Sequence, residues 1–510
     1  TNSMKIFLKL ITLTLFMQAS ISHSQTVCEG GFADIYPCND YDLMARIPIL
    51  ALTDESNADG SDIWGWTDPL DNKEYALVGT THSTAFVDIS VPTNPILLGR
   101  LPSETGANLW RDVKVYNNYA FIVADNVGLH GMQVFDLTRL RSVTTPPETF
   151  VADTVYTGDG ETGDLVIDSC HNIVINENEG IAYLVGCDAA NGGPIFISLS
   201  DPLAPTTLGS YADDGYTHDA QVITYDGPDV APDPNTTGIP TYVGREILVA
   251  SNGSFGGDDK LIILDVTNKT SVTKIAEISY SQPGYAHQGW FTDDHRYFIM
   301  GDETDEQGFG MNSRTLVFDF LDLDNPVLAS TYLGPSAAID HNGFVLGDKY
   351  FLANYRAGMR VIDIPSMLAS SNTVAADAEI GFFDTYPNND NTNFSGAWGV
   401  YPYFASGNII ISDINRGLFI VRQSNTLTIE DIILNDEFTI TPNPSYNNPT
   451  IKSSTNNKIN SVALFNILGQ EIFSTSNIDA DEFVLQTENY ANGLYLVKIN
   501  AVITKKIILK

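Results

Sequence analysis

Short apolar runs of β-branched and aromatic residues, split by turn residues, recur along most of this chain. Seven align as the most regular strand of a unit: TAFVDIS (84–90), GMQVFDLT (131–138), PIFISLS (194–200), KLIILDVT (260–267), TLVFDFLDL (315–323), GMRVIDIPS (358–366) and GLFIVRQS (417–424). A second run precedes each, from EYALVGTT (74–81) and YAFIVAD (119–125) to YFLANYR (350–356) and NIIISDI (408–414). A third follows most of them, as in PILLGRLP (95–102) and VTKIAEISY (272–280). Such runs predict strands, and no helical period of comparable strength appears. With a short strand opening each unit, the count is four per unit. The spacing of several tens of residues suits propeller blades rather than helical solenoids. The expected fold is therefore all-β, a seven-bladed β-propeller.

The seventh unit lacks a fourth strand after Val421, while DLMARIPIL (42–50) resembles the fourth strands of the other units. Its addition to the last blade would remove a sheet edge open to aggregation. After Arg422 the pattern stops. A linker, SNTLTIEDIILNDE, leads to FTITPNPSYNNPTIKS (438–453), SVALFNILGQEIF, EFVLQ and ANGLYLVKI, the alternating strands of a small β-sandwich. The expected organisation is a signal peptide with an upstream remnant (1–24), a segment supplying the closing strand (25–52), the propeller (53–423), a linker (424–437) and a C-terminal domain (438–510). The signal is read from Met4, Lys5 and Lys9, the apolar run Ile6 to Met17, and the small residues Ser22 and Ser24. That run is short for a bilayer span and no later stretch does better, so no transmembrane helix is expected in the mature chain.

Charge and cysteines narrow the setting. Asp and Glu outnumber Lys and Arg by 63 to 26, a formal charge of -37. Such a surface repels phosphate backbones, which argues against nucleic acid as a partner. All four cysteines follow the signal, as in a chain made for an oxidising compartment. Of the three possible pairings, proximity favours Cys28 with Cys38 and Cys170 with Cys187.

The tail resembles the C-terminal sorting domain of the type IX secretion system of Bacteroidota. The matching residues are Pro442-Asn443-Pro444, the LFNILGQEI strand, Asn492 to Tyr495 and the basic end. That resemblance implies engagement of the type IX machinery and export across the outer membrane. It further implies tail removal, then anchoring to outer-membrane glycolipid or release. The stretches CEGGFADIYPCNDYDLMARIPI, DIWGWTDPLDNKEYALVGTTHSTAFVDIS, WRDVKVYNNYAFIVAD and HGMQVFDLTRL are similar to the choice-of-anchor B family, whose repeats are of the LVIVD type. LIILDV (261–266) is the nearest match to that repeat. The resemblance implies a surface protein and no settled activity.

Candidate chemistry lies at the start of the first strand of each unit. The residues there read Trp64, Trp110, His171, His218, His287, His341 and Trp398. Innermost strands of a propeller line its channel, so equivalent positions should share one circle, with the four histidines on one arc. The long polar loops between second and third strands open on the same face, where function tends to sit. Neutral imidazoles are common ligands for zinc or copper. The expected metal set is His171, His218, His287 and His341, with Asp302 and Glu303 completing a shell. A histidine in this place equally serves to lock a blade onto a backbone carbonyl. Asp219 and Gln288, each following a ring histidine, and Arg111, Arg356 and Arg416 join the three tryptophans as candidates for a ligand-binding face. NADGSDIWG (57–65) and TGDGETGD (157–164) resemble calcium loops in charge and glycine content but lack the full spacing. No nucleophile elbow, P-loop or dinucleotide fingerprint is present. The expected protein is a surface or secreted binding propeller with an unknown ligand; the competing expectation is a metal-dependent enzyme built on the four histidines.

Overall fold

The computed structural model describes residues 25–158, 165–228, 241–254, 258–369, 373–374, 376–424, 438–453, 458–466, 471–500 and 503–510. The expected signal peptide, the expected linker after Ser424 and most of TGDGETGD lie outside them. The chain divides into two compact units, one ending at Ser424 and the other starting at Asn425.

The first unit is all-β, and its described strands form seven mainly antiparallel sheets. Their first strands are Gly60–Thr67, Arg111–Tyr116, Asn172–Asn176, Asp219–Thr224, Ala286–Phe291, Gly343–Leu346 and Ala397–Tyr401. Each packs against the next, and Ala397–Tyr401 packs against Gly60–Thr67. The apolar residues of middle strands interleave between neighbouring sheets. Leu77 and Phe86 of one sheet meet Ile122 and Phe135 of the next; Val78 and Val87 meet Ile410 and Ile420. The aspartate that ends five of the seven third strands turns the chain. Asp88, Asp136, Asp265 and Asp319 each accept a hydrogen bond from the N–H two residues on, and Asp363 accepts from Ser366, the local bonding that makes Asp a turn former.

The strand Tyr41–Ile47 pairs antiparallel with Gly417–Gln423 and forms the outer edge of the last sheet. Just before it, Phe32–Ala33 and Tyr36–Asn39 make a hairpin that adds to Glu379–Phe383 of the preceding sheet. Both disulfides are present, Cys28–Cys38 and Cys170–Cys187. Among the described residues no helix is long and apolar enough to cross a membrane.

The second unit has two sheets, one of Phe438–Thr441, Thr450–Ser453 and Glu482–Val484, the other of Glu471–Ala480, Ile459–Phe465, Gly493–Ile499 and Ile503–Leu509. They share one core around Phe438, Ile451, Leu464, Val497 and Ile507.

Candidate functional site

The four histidines gather as one arc. Ring centroids are 4.5 Å apart for His171 and His218, 4.2 Å for His218 and His287, and 4.3 Å for His287 and His341. Trp398 continues the arc 4.7 Å from His341. These rings floor a cavity of about 790 Å3, whose walls carry Trp110, Tyr216, Tyr285, Tyr355 and Phe394, with Glu303 beside the floor. Gly186 makes room for this packing: its φ is +62°, and a Cβ there would sit 2.6 Å from the Cβ of His171.

Hydrogen bonds fix the imidazole tautomers. Nδ1 of His218 is 3.0 Å from the carbonyl of His287, and Nδ1 of His341 contacts the carbonyl of Trp398. A carbonyl only accepts, so both Nδ1 atoms donate and both Nε2 atoms keep their lone pairs. Nδ1 of His171 lies 2.9 Å from a carboxylate oxygen of Asp125. His287 differs, since its Nδ1 is buried without a hydrogen-bond partner and its Nε2 is 3.8 Å from Glu303 Oε2. The Tyr355 hydroxyl donates to the other oxygen of Glu303 at 2.9 Å.

Burial sets the charge of this floor. It drives His218 and His287 well below the usual histidine range, helped by the neighbouring imidazoles. It pushes His341 down to about 3. Glu303 is pushed up to about 8 by burial, against the opposing hydrogen bond from Tyr355. At neutral pH this part of the floor is uncharged.

Beyond Trp110 and Trp398, the structure places the other candidates elsewhere. Cross-strand register aligns Ser61 and Arg111, not Trp64 and Trp110, with the histidines: Ile63 pairs with Val78 and Val113 with Ile122, just as Ile173 pairs with Leu184 one residue after Asn172. A register irregularity between Gly60 and Ile63 shifts the first unit. Trp64 therefore lies further along its strand, packed on Phe344 and Tyr401, with the Lys114 ammonium 4.7 Å from its ring. Trp110 is a rim residue, 41% exposed. Arg111 is buried, donating to the Thr80 carbonyl at 3.2 Å with its guanidinium 3.3 Å from His130.

Asp302 faces away from the imidazoles. It accepts from Arg314, Tyr280 and the backbone of Tyr285 at 2.6, 2.8 and 2.9 Å, so its oxygens are engaged by other donors. Polar residues one step along the first strands tie neighbouring sheets instead of facing the cavity. Asp112 accepts from the N–H of Ile173, Asn172 donates to the carbonyl of His218, and Gln288 accepts from the N–H of Gly343. Asp219 belongs to this layer, and burial pushes it up to about 7 with the Lys114 charge opposing. Asp62, in the first acidic loop considered for calcium, is in a strand and 3.2 Å from Lys114. Arg356 and Arg416 both lie over Tyr386, 5.0 and 4.2 Å from its centroid, and bond to Asn389 and Asn388; neither lines the cavity.

Tyr216, Tyr285, Tyr355 and Phe394 are site residues that the strand pattern alone does not reveal. A signal existed for two of them: Tyr216-Thr217-His218 and Tyr285-Ala286-His287 repeat a Tyr two places before a ring histidine.

The sheets and this face define a repeat protein of small antiparallel units, and the family comparisons agree. Residues 73–102 and 110–130 match the LVIVD repeat, and residues 439–510 match the secretion system C-terminal sorting domain. No curated protein matches the chain. The chain thus carries LVIVD repeats and a type IX sorting domain, and it is secreted across the outer membrane to the cell surface or the extracellular space.

Proposed function

We propose that the first unit is a closed seven-bladed β-propeller of the choice-of-anchor B kind, and that it binds a small neutral aromatic molecule in its central cavity. Closure is supported by the contact of the seventh sheet with the first and by the Tyr41–Ile47 strand completing that seventh sheet. The proposed boundaries are 25–52 for the closing segment, 53–423 for the propeller, 424–437 for the linker and 438–510 for the sorting domain. In a Bacteroidota host, removal of the tail would leave the propeller on surface glycolipid or free.

The observation that carries the binding reading is the cavity itself: an aromatic wall over a floor of imidazoles, of which His218 and His341 keep their Nε2 lone pairs available. Aromatic walls favour stacked rings. The uncharged stretch of floor from His218 to His341 gives no anchor to an anionic ligand, while Nε2 acceptors suit hydroxyl or N–H groups on a ring's edge.

Ligand-observed NMR of metal-free, full-length protein against small phenols and indoles tests this. Binding should occur and weaken roughly three- to tenfold in Tyr216→Ala, the loss of one aromatic contact. Absence of binding, or binding unaffected by both Tyr216→Ala and His218→Leu in folded variants, would overturn the reading.

A further inference from the structure

Within the cavity floor, one subset has the layout of a cation site. One ligand atom each from His287, Glu303 and His341 lies within 4.8 Å of the others, and all three residues are buried. Their surroundings orient them. The Trp398 carbonyl takes the Nδ1 proton of His341, which leaves Nε2 for an ion. Tyr355 holds one carboxylate oxygen of Glu303 and leaves the other toward His287. The His287 ring is held by no hydrogen bond, Nδ1 being buried without a partner and Nε2 lying 3.8 Å from Glu303 Oε2, so Nε2 can turn onto an ion.

We propose that His287, His341 and Glu303 bind one divalent transition-metal ion, with the fourth coordination position open to the cavity. The donor set decides the class. Two imidazoles and one carboxylate suit zinc and its neighbours, whereas calcium and magnesium take oxygen ligands. Tetrahedral zinc with bonds of roughly 2.0–2.1 Å holds its ligand atoms roughly 3.3 Å apart. The 3.8 Å between His287 and Glu303 needs a small side-chain rotation to close. His171 stays outside this set, because its Nδ1 is committed to Asp125 and it lies at the far end of the arc. The inference rests on the binding reading for the cavity and deepens it: a ligand reaching the floor would offer an oxygen or nitrogen to the ion's open position.

The test uses full-length protein stripped with a chelator and titrated with zinc against a chromophoric competitor. Binding of one zinc per chain is expected. Glu303→Gln and His287→Ala should weaken it at least tenfold, while His171→Ala leaves it unchanged. Cobalt substitution gives a second readout, the visible absorption of a tetrahedral ion, present in wild type and His171→Ala and absent in Glu303→Gln. Circular dichroism selects folded variants, and the near-isosteric Glu303→Gln keeps the test meaningful if His287→Ala does not fold. No zinc uptake, or equal loss in His171→Ala and Glu303→Gln, would overturn the proposal. Aromatic binding to the stripped protein without zinc uptake would sink the metal site alone. Zinc uptake without aromatic binding would sink the cavity reading alone.

Discussion

His130 shows how one side chain can carry pH dependence. It is fully buried, bonded through Nδ1 to the Gly131 carbonyl at 2.8 Å, with the Arg111 guanidinium against Nε2. Burial first, and the Arg111 charge second, push it down to about 4. The unfolded chain, with histidine near 6.5, then binds more protons than the folded one as pH falls. Its contribution is present above about 6.5 and is lost on the way down to about 4. At pH 5 this is about 2 kcal/mol for the one group. In His130→Gln the stability difference between pH 8 and pH 5, read from urea unfolding, should shrink by about that amount. An unchanged difference would show that His130 does not titrate in this way. The residue scale also shows what sequence conceals. The four histidines were legible because each precedes a polar or small residue and an apolar run at the same step. Trp64 misled because an irregularity between Gly60 and Ile63 cannot be counted from residue types. Asp302 and Glu303 are adjacent in sequence, yet alternation along a strand end sends them to opposite sides, one to Arg314 and one to the histidines.

At the scale of elements, the Cys170–Cys187 disulfide ties the residue before His171 to the end of the next strand, across a separation of 17 residues. A loop of that size contributes about 3 kcal/mol by restricting the unfolded chain. Cys170→Ser with Cys187→Ser should lower unfolding stability by about that amount. It should also broaden the His171 ring signals in NMR while sparing those of His341, which is anchored on Trp398. Sharp His171 signals in the double variant would mean that Asp125 suffices to hold the ring. The strands themselves were readable, since β-branched runs bounded by Asp, Gly and Ser have few alternatives. The hairpin Phe32 to Asn39 was not, because its strands are only two and four residues long and only its partner Glu379–Phe383 gives it a place.

For the whole molecule, the pairing of Tyr41–Ile47 with Gly417–Gln423 joins segments some 370 residues apart. Ala45 lies opposite Ile420 and is buried. Proline there removes an N–H and distorts the strand, a change worth several kcal/mol in regular structure. Ala45→Pro should therefore lower the melting temperature and raise oligomer content by light scattering, as the Gly417–Gln423 edge becomes available. A monomeric variant with the wild-type melting temperature would show that the strand is dispensable. The all-β character and the series of small antiparallel sheets were the most legible properties, because periodicity survives local error. Cavity walls were the least legible, because Phe394 and Tyr355 arrive from loops and strand ends whose course depends on the finished fold.

The same junction also orders events in time. A chain made from its N-terminus presents Tyr41–Ile47 early and its mate, Gly417–Gln423, last. The early strand must wait, unpaired, until nearly everything else has emerged. Loop closure over such a distance is entropically slow. The sorting segment at 439–510 follows the mate in the chain, so a molecule bearing an intact address label has, by then, also received the partner that Tyr41–Ile47 had lacked.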